Sequence, residues 1–494
     1  MKKYSILIYL VLITVGVSAQ TLTDAVRYSS LIPGGTARAM GVGGSFGAMG
    51  GDFGVLTINP AGIADFRSSD LSFSFSFNGG NTNSSLNGGS NLNTKHTNEP
   101  VLENIGVVFH ARPTASSLVT SNLAIGLSQY NNFRQNLGFE GSSPGSITER
   151  FAEVANGRDP DFFDPFEAAL AYEAGAIYDF DSDLNYETDL EGVDEVYKTQ
   201  DISRSGKINE LSIAWAGKFK NNLQLGIGIG IPFISFEENK RYREIDQNND
   251  IAFFDNLTFS EDLATSGTGF NFKLGAGYTV AKTIRLGLAY QSPTYFGLDD
   301  NYENNLDYSF TDNEGSQNIS SRSPEGRFEY KLTTPARITG SIGAIIKTDI
   351  LKGFVNFDAQ YINYKSNSFN LTSDNNDPSE LAYEREVNAT IENELQSAVN
   401  LNLGSELAFD KFRVRAGVGL VGSPYAVDNV ASFDNIYSLG GGFRGDRFYI
   451  DFAFQQRGLS QGYSPYQVLD ADRNQFVVND SSINKVIFTI GFKL

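Results

Sequence analysis

The 494-residue chain contains no cysteine. Disulfides therefore cannot hold it together, and no thiolate is available as nucleophile or metal ligand. Histidine is nearly absent too, with only His96 and His110. Nothing around either suggests a serine–histidine–acid hydrolase, which needs a base held against a nucleophile. The glycines include no phosphate-loop lysine pattern. No catalytic residue, metal site or cofactor is expected. Basic residues are scarce, 38 against 58 acids, for a formal charge of −20. This excludes a nucleic-acid partner, because phosphate binding needs a basic surface. Beyond the first 19 residues no run of about 18 apolar residues occurs, so transmembrane helices are excluded.

What is present begins with a leader. Lys2 and Lys3 precede an apolar stretch, Ile6 to Val17, and Val17-Ser18-Ala19 offers the small residues that a signal peptidase reads. Residues 1–19 are read as a signal peptide. The exported chain would start at Gln20, with a charge of −22 once Lys2 and Lys3 are gone. No cysteine follows the cleavage site, so no lipoprotein anchor is expected.

The exported chain is dominated by strict apolar–polar alternation, the signature of strands with one greasy face. Leu71, Phe73, Phe75 and Phe77 alternate with serines, and Leu225, Ile227, Ile229 and Ile231 alternate with glycines. Phe448, Ile450, Phe452 and Phe454 repeat the pattern, as do Val486, Phe488, Ile490 and Phe492 near the end. About 14 such segments can be counted, the first at 69–78 and the last at 485–494. Their connections are alternately short, as at Asp410-Lys411 and Gly445-Asp446, and long and polar, at about 79–101, 135–205, 238–267, 297–327, 369–395, 424–433 and 458–484. Short turns on one side and long loops on the other, with an even strand number, describe an outer-membrane barrel. Closure removes the edges that so large a sheet would expose. The fold class expected is all-β: a transmembrane antiparallel barrel of about 14 strands over 69–494.

The segment "GGDFGVLTINPAGIADF" (50–66) is too apolar for a linker and too broken for a strand. It precedes the first strand. Residues 20–68 are therefore expected to form a hatch that plugs the lumen, with Phe53, Leu56 and Ile58 against wall or ligand and Asn59-Pro60-Ala61 as a turn. Irregular backbone at membrane depth is tolerated when protein or water surrounds it. Gly226, Gly228 and Gly230 predict a place where something packs close to the wall.

The largest loop, about 135–205, carries 17 acids between residues 138 and 205 against Arg150, Arg158, Lys198 and Arg204, a net −13. Ser146 can cap a helix over 147–155 and Pro165 can start one over 166–178. This is expected to be a lid outside the barrel. Asp179, Asp181 and Asp183 resemble the start of a calcium loop, but Leu184 and Leu190 occupy the positions of its glycine and glutamate. The stretch is read first as a solvated acidic face, with loose binding of divalent cations at the acidic loops as the alternative. On the lumen face the alternation places His110, Arg337, Asn356, Asp358, Gln360, Arg413, Arg415 and Asp451. Arg413 and Arg415, two apart on one strand face, are candidates to hold an acidic headgroup.

"GGTARAMGVGGSFGAMGGDFGVLTINPAGIADF", with Arg38 to Gly41 and Asn59 to Ala61 as its best markers, resembles the N-terminal region of the FadL/TodX-type outer-membrane transporters. "LTTPARITGSIGAII" (332–346), "VNLNLGSELAFDKFRVRAGVGLVGSPY" (399–425) and "YSLGGGFRGDRFYIDFAF" (437–454) also resemble that family, in its Bacteroidetes-like members. The resemblance implies a monomeric 14-stranded barrel in the outer membrane, plugged by a hatch. It implies passive uptake of hydrophobic small molecules, either long-chain fatty acids or aromatic compounds. It also implies sideways release to the outer-membrane lipids through a kink in the third strand, which here falls at Tyr130, Asn131, Asn132 and Phe133. The −13 loop disfavours fatty-acid anions unless divalent ions screen it. The alternatives are a secretion-accessory or surface-attachment barrel and a haem receptor, the latter limited to His96 and His110.

Overall fold

The computed structural model describes residues 22–494 except 33, 90, 115–116, 221, 282, 349–350, 372–377 and 427–431. The leader, 1–19, lies outside the described residues. The alternating segments form one closed antiparallel sheet of 14 strands. Strands 1 and 2 are Asp70–Leu86 and Asn91–Ala111. Strand 3 comes in two segments, Leu118–Asn132 and Gln135–Ser143. Strands 4, 5 and 6 are Val196–Phe219, Leu223–Ile245 and Asn256–Thr279. Strand 7 joins Ile284–Gln291 to Tyr295–Asp312, and strand 8 joins Gly315–Arg322, Gly326–Thr333 and Arg337–Lys347. Strand 9 is Lys352–Asn363 with Ser368–Asn370. Strands 10 to 14 are Ser397–Phe409, Phe412–Gly422, Phe433–Arg444, Phe448–Tyr463 and Val477–Lys493. The first strand pairs with the last from Asp70↔Lys493 to Leu86↔Val477, which closes the barrel.

Side chains alternate across this wall as the sequence pattern requires. Leu225, Ile227 and Ile229 are exposed on the outer face, while Gln224, Gly226 and Gly230 are buried inside. An outward apolar band around a closed sheet belongs in lipid, where every backbone group must find a partner within the sheet. No helix among the described residues is long and apolar enough to cross a membrane.

The wall is not of even height. Strands 4, 5 and 6 run 24, 23 and 24 residues, whereas strands 10, 11 and 12 run 13, 11 and 12. A tilted strand crosses a bilayer in about 9–11 residues. On strand 5 the outward apolar series stops at Phe233, and Ser235, Glu237, Asn239 and Arg241 follow it on the same face. On strand 12 the outermost residue, Phe433, is still an exposed aromatic. One side of the barrel therefore stands well above the membrane, and the other ends at its surface.

This height corrects the expected loops. The stretches 79–101, 238–267 and 297–327 are mostly strand, with turns near 87–89, 246–255 and 313–314. Above the membrane neither face of a strand must be apolar. Sequences such as "NTNSSL" and "ENKRYREI" therefore hide their strand state from a hydrophobicity pattern. The lid contains helix α3, Ile147–Ala155, capped by Ser146 as read, and a shorter helix α4, Ala168–Glu173, in place of the longer one expected. Before the barrel lie α1, Leu22–Ser29, and α2, Ala37–Gly41, then 3₁₀ turns at Phe53–Thr57 and Pro60–Asp65. Between strands 9 and 10 lies α5, Pro378–Glu394.

Three apolar clusters stack along the lumen. Towards the short turns, Val42, Phe46, Phe53, Val55, Leu56 and Ile63 pack on Val108, Ala124, Ala214 and Phe354 of the wall. In the middle, Val26 and Tyr28 of α1 meet Phe133, Phe236, Tyr330, Val387 and Ile391. At the outer end, α3 and α4 pack on Leu86, Tyr242, Phe259, Tyr308 and Val477.

Candidate ligand pathway

The lower lumen is filled by residues 34–66, fixed by both shape and charge. Phe53 lies over Gly106 and Gly126, where an added Cβ would come within 2.1 and 2.4 Å of its ring. Pro60 and Ala61 lie as tightly over Gly226 of strand 5, the close packing that the glycine spacing anticipated. Asn59 accepts from the Ala61 amide at 3.1 Å and donates to the carbonyls of Gly47 (2.8 Å) and Ala276 (3.2 Å). The Asn-Pro-Ala turn is thus tied to strand 6. Leu56 is buried and Ile58 half-buried.

Ion pairs complete the lock. Arg38 grips Glu406 of strand 10 with two bonds of 2.9 Å. Asp65 takes Lys218 at 3.0 Å, Gln224 at 2.6 Å and Arg285 at 2.7 Å, from strands 4, 5 and 7. The backbone amides of Phe46 and Gly47 donate to Asp358.

The two headgroup candidates are not brought to one site. Arg415 is fully buried between Glu406 (2.6 Å) and Asp451 (2.8 Å) and serves the hatch lock. Arg413 sits beside the short turn after strand 10, donating to the Asp410 and Phe412 carbonyls. His110 shares a 2.8 Å hydrogen bond with Asn122, and Arg112 donates to its other ring nitrogen. His96 is in strand 2, and its side chain lies outside the described residues. No group of three or more acidic, histidine or cysteine side chains able to hold a metal occurs among the described residues. The Asp179 carboxylate instead accepts the amides of Asp183 and Leu184.

The wall itself is interrupted at strand 3. The ladder between strands 2 and 3 runs only from Asn104↔Ser128 to Ala111↔Ser121. Beyond Ser128, Gln129 and Tyr130 turn to the hatch. The Ile32 amide donates to the Tyr130 carbonyl at 2.9 Å and the Gly34 amide to that of Gln129 at 2.8 Å. Asn131 donates to Ser30 at 3.0 Å. The register with strand 4 shifts between Gln129 and Asn131, and the strand breaks at Phe133 and Arg134. Phe133 turns its ring inwards, onto Phe236 and Tyr28. Above the break, Thr94 of strand 2 bonds the Asn136 carbonyl at 2.8 Å.

Two adjoining cavities of about 90 and 190 Å³ lie behind this seam. They share Ile32, Asn131, Asn132, Arg134, Arg457 and Ile483. In the smaller one, Asn78 Nδ2, both polar atoms of Gln129 and Arg457 Nε are buried without a partner. Such atoms call for water or a ligand's polar group. The sequence reading missed Glu103, which is completely buried and paired with Lys485 at 2.9 Å. It sits where strand 2 bulges against strand 1. A glutamate amid Val101, Leu102 and Ile105, three residues after Pro100, was the available signal.

A closed 14-stranded membrane barrel, plugged from below and parted along one seam, is the class these features define. No protein-family profile and no curated protein matches the chain. Among solved structures it is similar to a FadL homologue of Pseudomonas aeruginosa, with 12% identity and a TM-score of 0.53 over 94% of this chain and 99% of that one. It is likewise similar to the toluene transporter TodX of Pseudomonas putida, with 12% identity, a TM-score of 0.51 and the same coverage of both chains. Likeness at this identity establishes the fold.

Proposed function

We propose that this protein is a monomeric outer-membrane channel for passive uptake of hydrophobic small molecules, released sideways through the seam between strands 2 and 3. The seam carries the reading. It opens at the outer edge of the apolar band, where Gln129 registers through Asn209 with Phe233, adjoins the lumen cavities, and is bridged by hatch backbone instead of a neighbouring strand. An unpaired strand edge at membrane depth costs several kcal/mol per orphan group unless something covers it. A hatch segment that covers it can also release it. The likeness in fold to structures named as a FadL homologue and a toluene transporter supports the same reading. Transport would run down the ligand's own gradient, and Tyr130 to Phe133 would form the exit.

The test uses the absence of native cysteine. Thr94→Cys with Asn136→Cys places two thiols across the seam. Oxidation should lower uptake of labelled toluene or oleate into cells at least tenfold, and reduction should restore it. Unchanged uptake in the oxidised protein would sink the lateral route.

A further inference from the structure

The seam gives a way out of the lumen but not a way in. Along the barrel axis the outer mouth is shut. The cap buries Phe151, Leu170 and Ile177 against both flanks of the tall wall, with Tyr242, Leu257 and Tyr308 on one side and Val477 on the other. Arg473 pins α3 to the loop before strand 14 through Glu149 at 2.8 Å. A ligand descending the axis would have to part a packed apolar core.

The larger cavity takes a different course. From the seam it passes α1 and reaches Gly422 to Tyr425 and Leu459 to Gln461. Gly422 to Tyr425 stand at or beyond the outer end of strand 11, and Leu459 to Gln461 lie on strand 13 just past its last pair with strand 12, Asn435↔Gly458. Ser423, Tyr425, Leu459 and Ser460 are all partly exposed there. Val26, Leu31, Phe236 and Val421 give the passage an apolar floor. Among its arginines, Arg457 pairs with Asp434 at 2.7 Å, Arg27 with Asp24, and Arg27 and Arg204 share Glu238. Just outside, Phe433 pairs with Gly422 and exposes its ring at the level of the rim. An exposed aromatic ring on a strand end marks the height of the membrane surface. The opening therefore meets the place where apolar and amphiphilic molecules collect on a bilayer.

We propose that ligands reach the lumen beneath the cap, over the low rim of strands 11 to 13, and not down the barrel axis. This portal rests on the transport reading above. Its ligands are apolar or single-headed amphiphilic molecules partitioned at the outer membrane surface. The −13 cap then never stands in their path, which removes its conflict with anionic amphiphiles.

Two modifications separate the routes. Ser423→Cys, and independently Ser460→Cys, would be labelled with a bulky maleimide to obstruct the rim. Glu149→Cys with Arg473→Cys would be joined by a bis-maleimide to hold the cap closed. Each protein would be assayed for the initial rate of labelled toluene uptake, with the cysteine-free parent treated alike. The portal requires a loss of at least tenfold from either rim label and a change below twofold from the cap clamp. Uptake abolished by the clamp, or untouched by both rim labels, overturns the portal and leaves transport standing. A parent protein that takes up no probe overturns the transport reading, and the portal with it.

Discussion

The lumen is closed at both ends, and the two closures use different chemistry. The hatch is a series of short helical turns and is held by the wall. Phe53 rests on glycines of strands 2 and 3, and Arg38, Asp65 and Asn59 each bond directly to the barrel. The cap has helices and an apolar core of its own, and its ion pairs, Arg150 with Glu167 and Arg473 with Glu149, are partly exposed. A plug at membrane depth cannot leave a backbone group unbonded, so it is written in glycine, caps and ion pairs. A lid in water can rely on apolar burial. The hatch is thus specific to one wall, while the cap resembles a small soluble domain.

The largest test of that contrast lies in the charges. Arg415→Met would strip Glu406 and Asp451 of the cation they share and leave them only Arg38 and Arg444. Removing one partner of a buried pair costs about 3–5 kcal/mol. Arg473→Met breaks the partly exposed pair with Glu149, where the cost is about 1 kcal/mol or less. Thermal unfolding of the detergent-solubilised protein should separate the two. If Arg415→Met is no worse than Arg473→Met, ion pairs are not what holds the hatch.

A matched apolar pair comes next. Phe53 and Phe151 are each 1% exposed, one in the hatch and one in the cap. Truncation to alanine costs about 3–5 kcal/mol for a buried phenylalanine. The difference should appear in function. Phe53→Ala is expected to raise single-channel conductance in planar bilayers, because it loosens the plug over Gly106 and Gly126. Phe151→Ala should leave conductance at the parent level and make α3 sensitive to protease. Equal conductance in both variants would remove the distinction between plug and lid.

The same contrast explains what could be read from the sequence. The barrel was legible because lipid imposes a two-residue period: Leu71 to Phe77 and Phe448 to Phe454 fix their strands by that alone. Asn59-Pro60-Ala61 and Gly226 were legible because turns and close approaches need particular residues. The tall wall was not legible, since Glu237 to Arg243 face water on one side and on the other place the ion-paired Glu238 and Lys240 beside Tyr242. The roles of Arg413 and Arg415 could not be separated either. Whether an inward arginine is free or locked depends on Glu406 and Asp451, which sit on neighbouring strands far away in the chain. The seam left one trace, the run Tyr130 to Arg134 that breaks alternation, but its partners Ile32 and Gly34 lie 98 and 95 residues before Tyr130 and Gln129.

The cap should also respond to pH. Lys198 and Glu244 are register partners on strands 4 and 5, 11 residues outward of Phe233 and so clear of the membrane. Burial pushes the Lys198 ammonium down to about 8 from its ordinary 10.5, against the pull of Glu244. Its three bonds go to the Ser143 and Pro144 carbonyls and the Ser143 hydroxyl. Below pH 8 the lysine is charged whether the cap is folded or open, and the burial penalty is felt in full. Between about pH 8 and 10.5 only the open form keeps its proton, so closure strengthens as pH rises. Burial pushes the Glu244 carboxyl up from 4.5. Just above that value the closed form holds the extra proton, and closure weakens as pH rises. Protease sensitivity of α3 should therefore grow through the mildly acid range and shrink above pH 8. Lys198→Met should abolish the alkaline limb.

The smallest contrast concerns single caps. Ser146 begins α3 by accepting the Thr148 amide at 3.1 Å, while Glu244 takes the Ile147 amide at 2.9 Å. With one acceptor remaining, Ser146→Ala should cost about 1 kcal/mol, the ordinary value for a helix cap. Asn59 has no such deputy. Its side chain serves the Ala61 amide and the Gly47 carbonyl, and adds a bond to the Ala276 carbonyl of the strand ladder. Asn59→Ala leaves the first two of these groups buried at membrane depth, at about 1 kcal/mol or more apiece. Hydrogen exchange at the two sites should show the hatch turn losing about twice as much protection as α3. Equal losses would mean that water already reaches the hatch and that its bonds to the wall are no more binding than those of an ordinary surface helix.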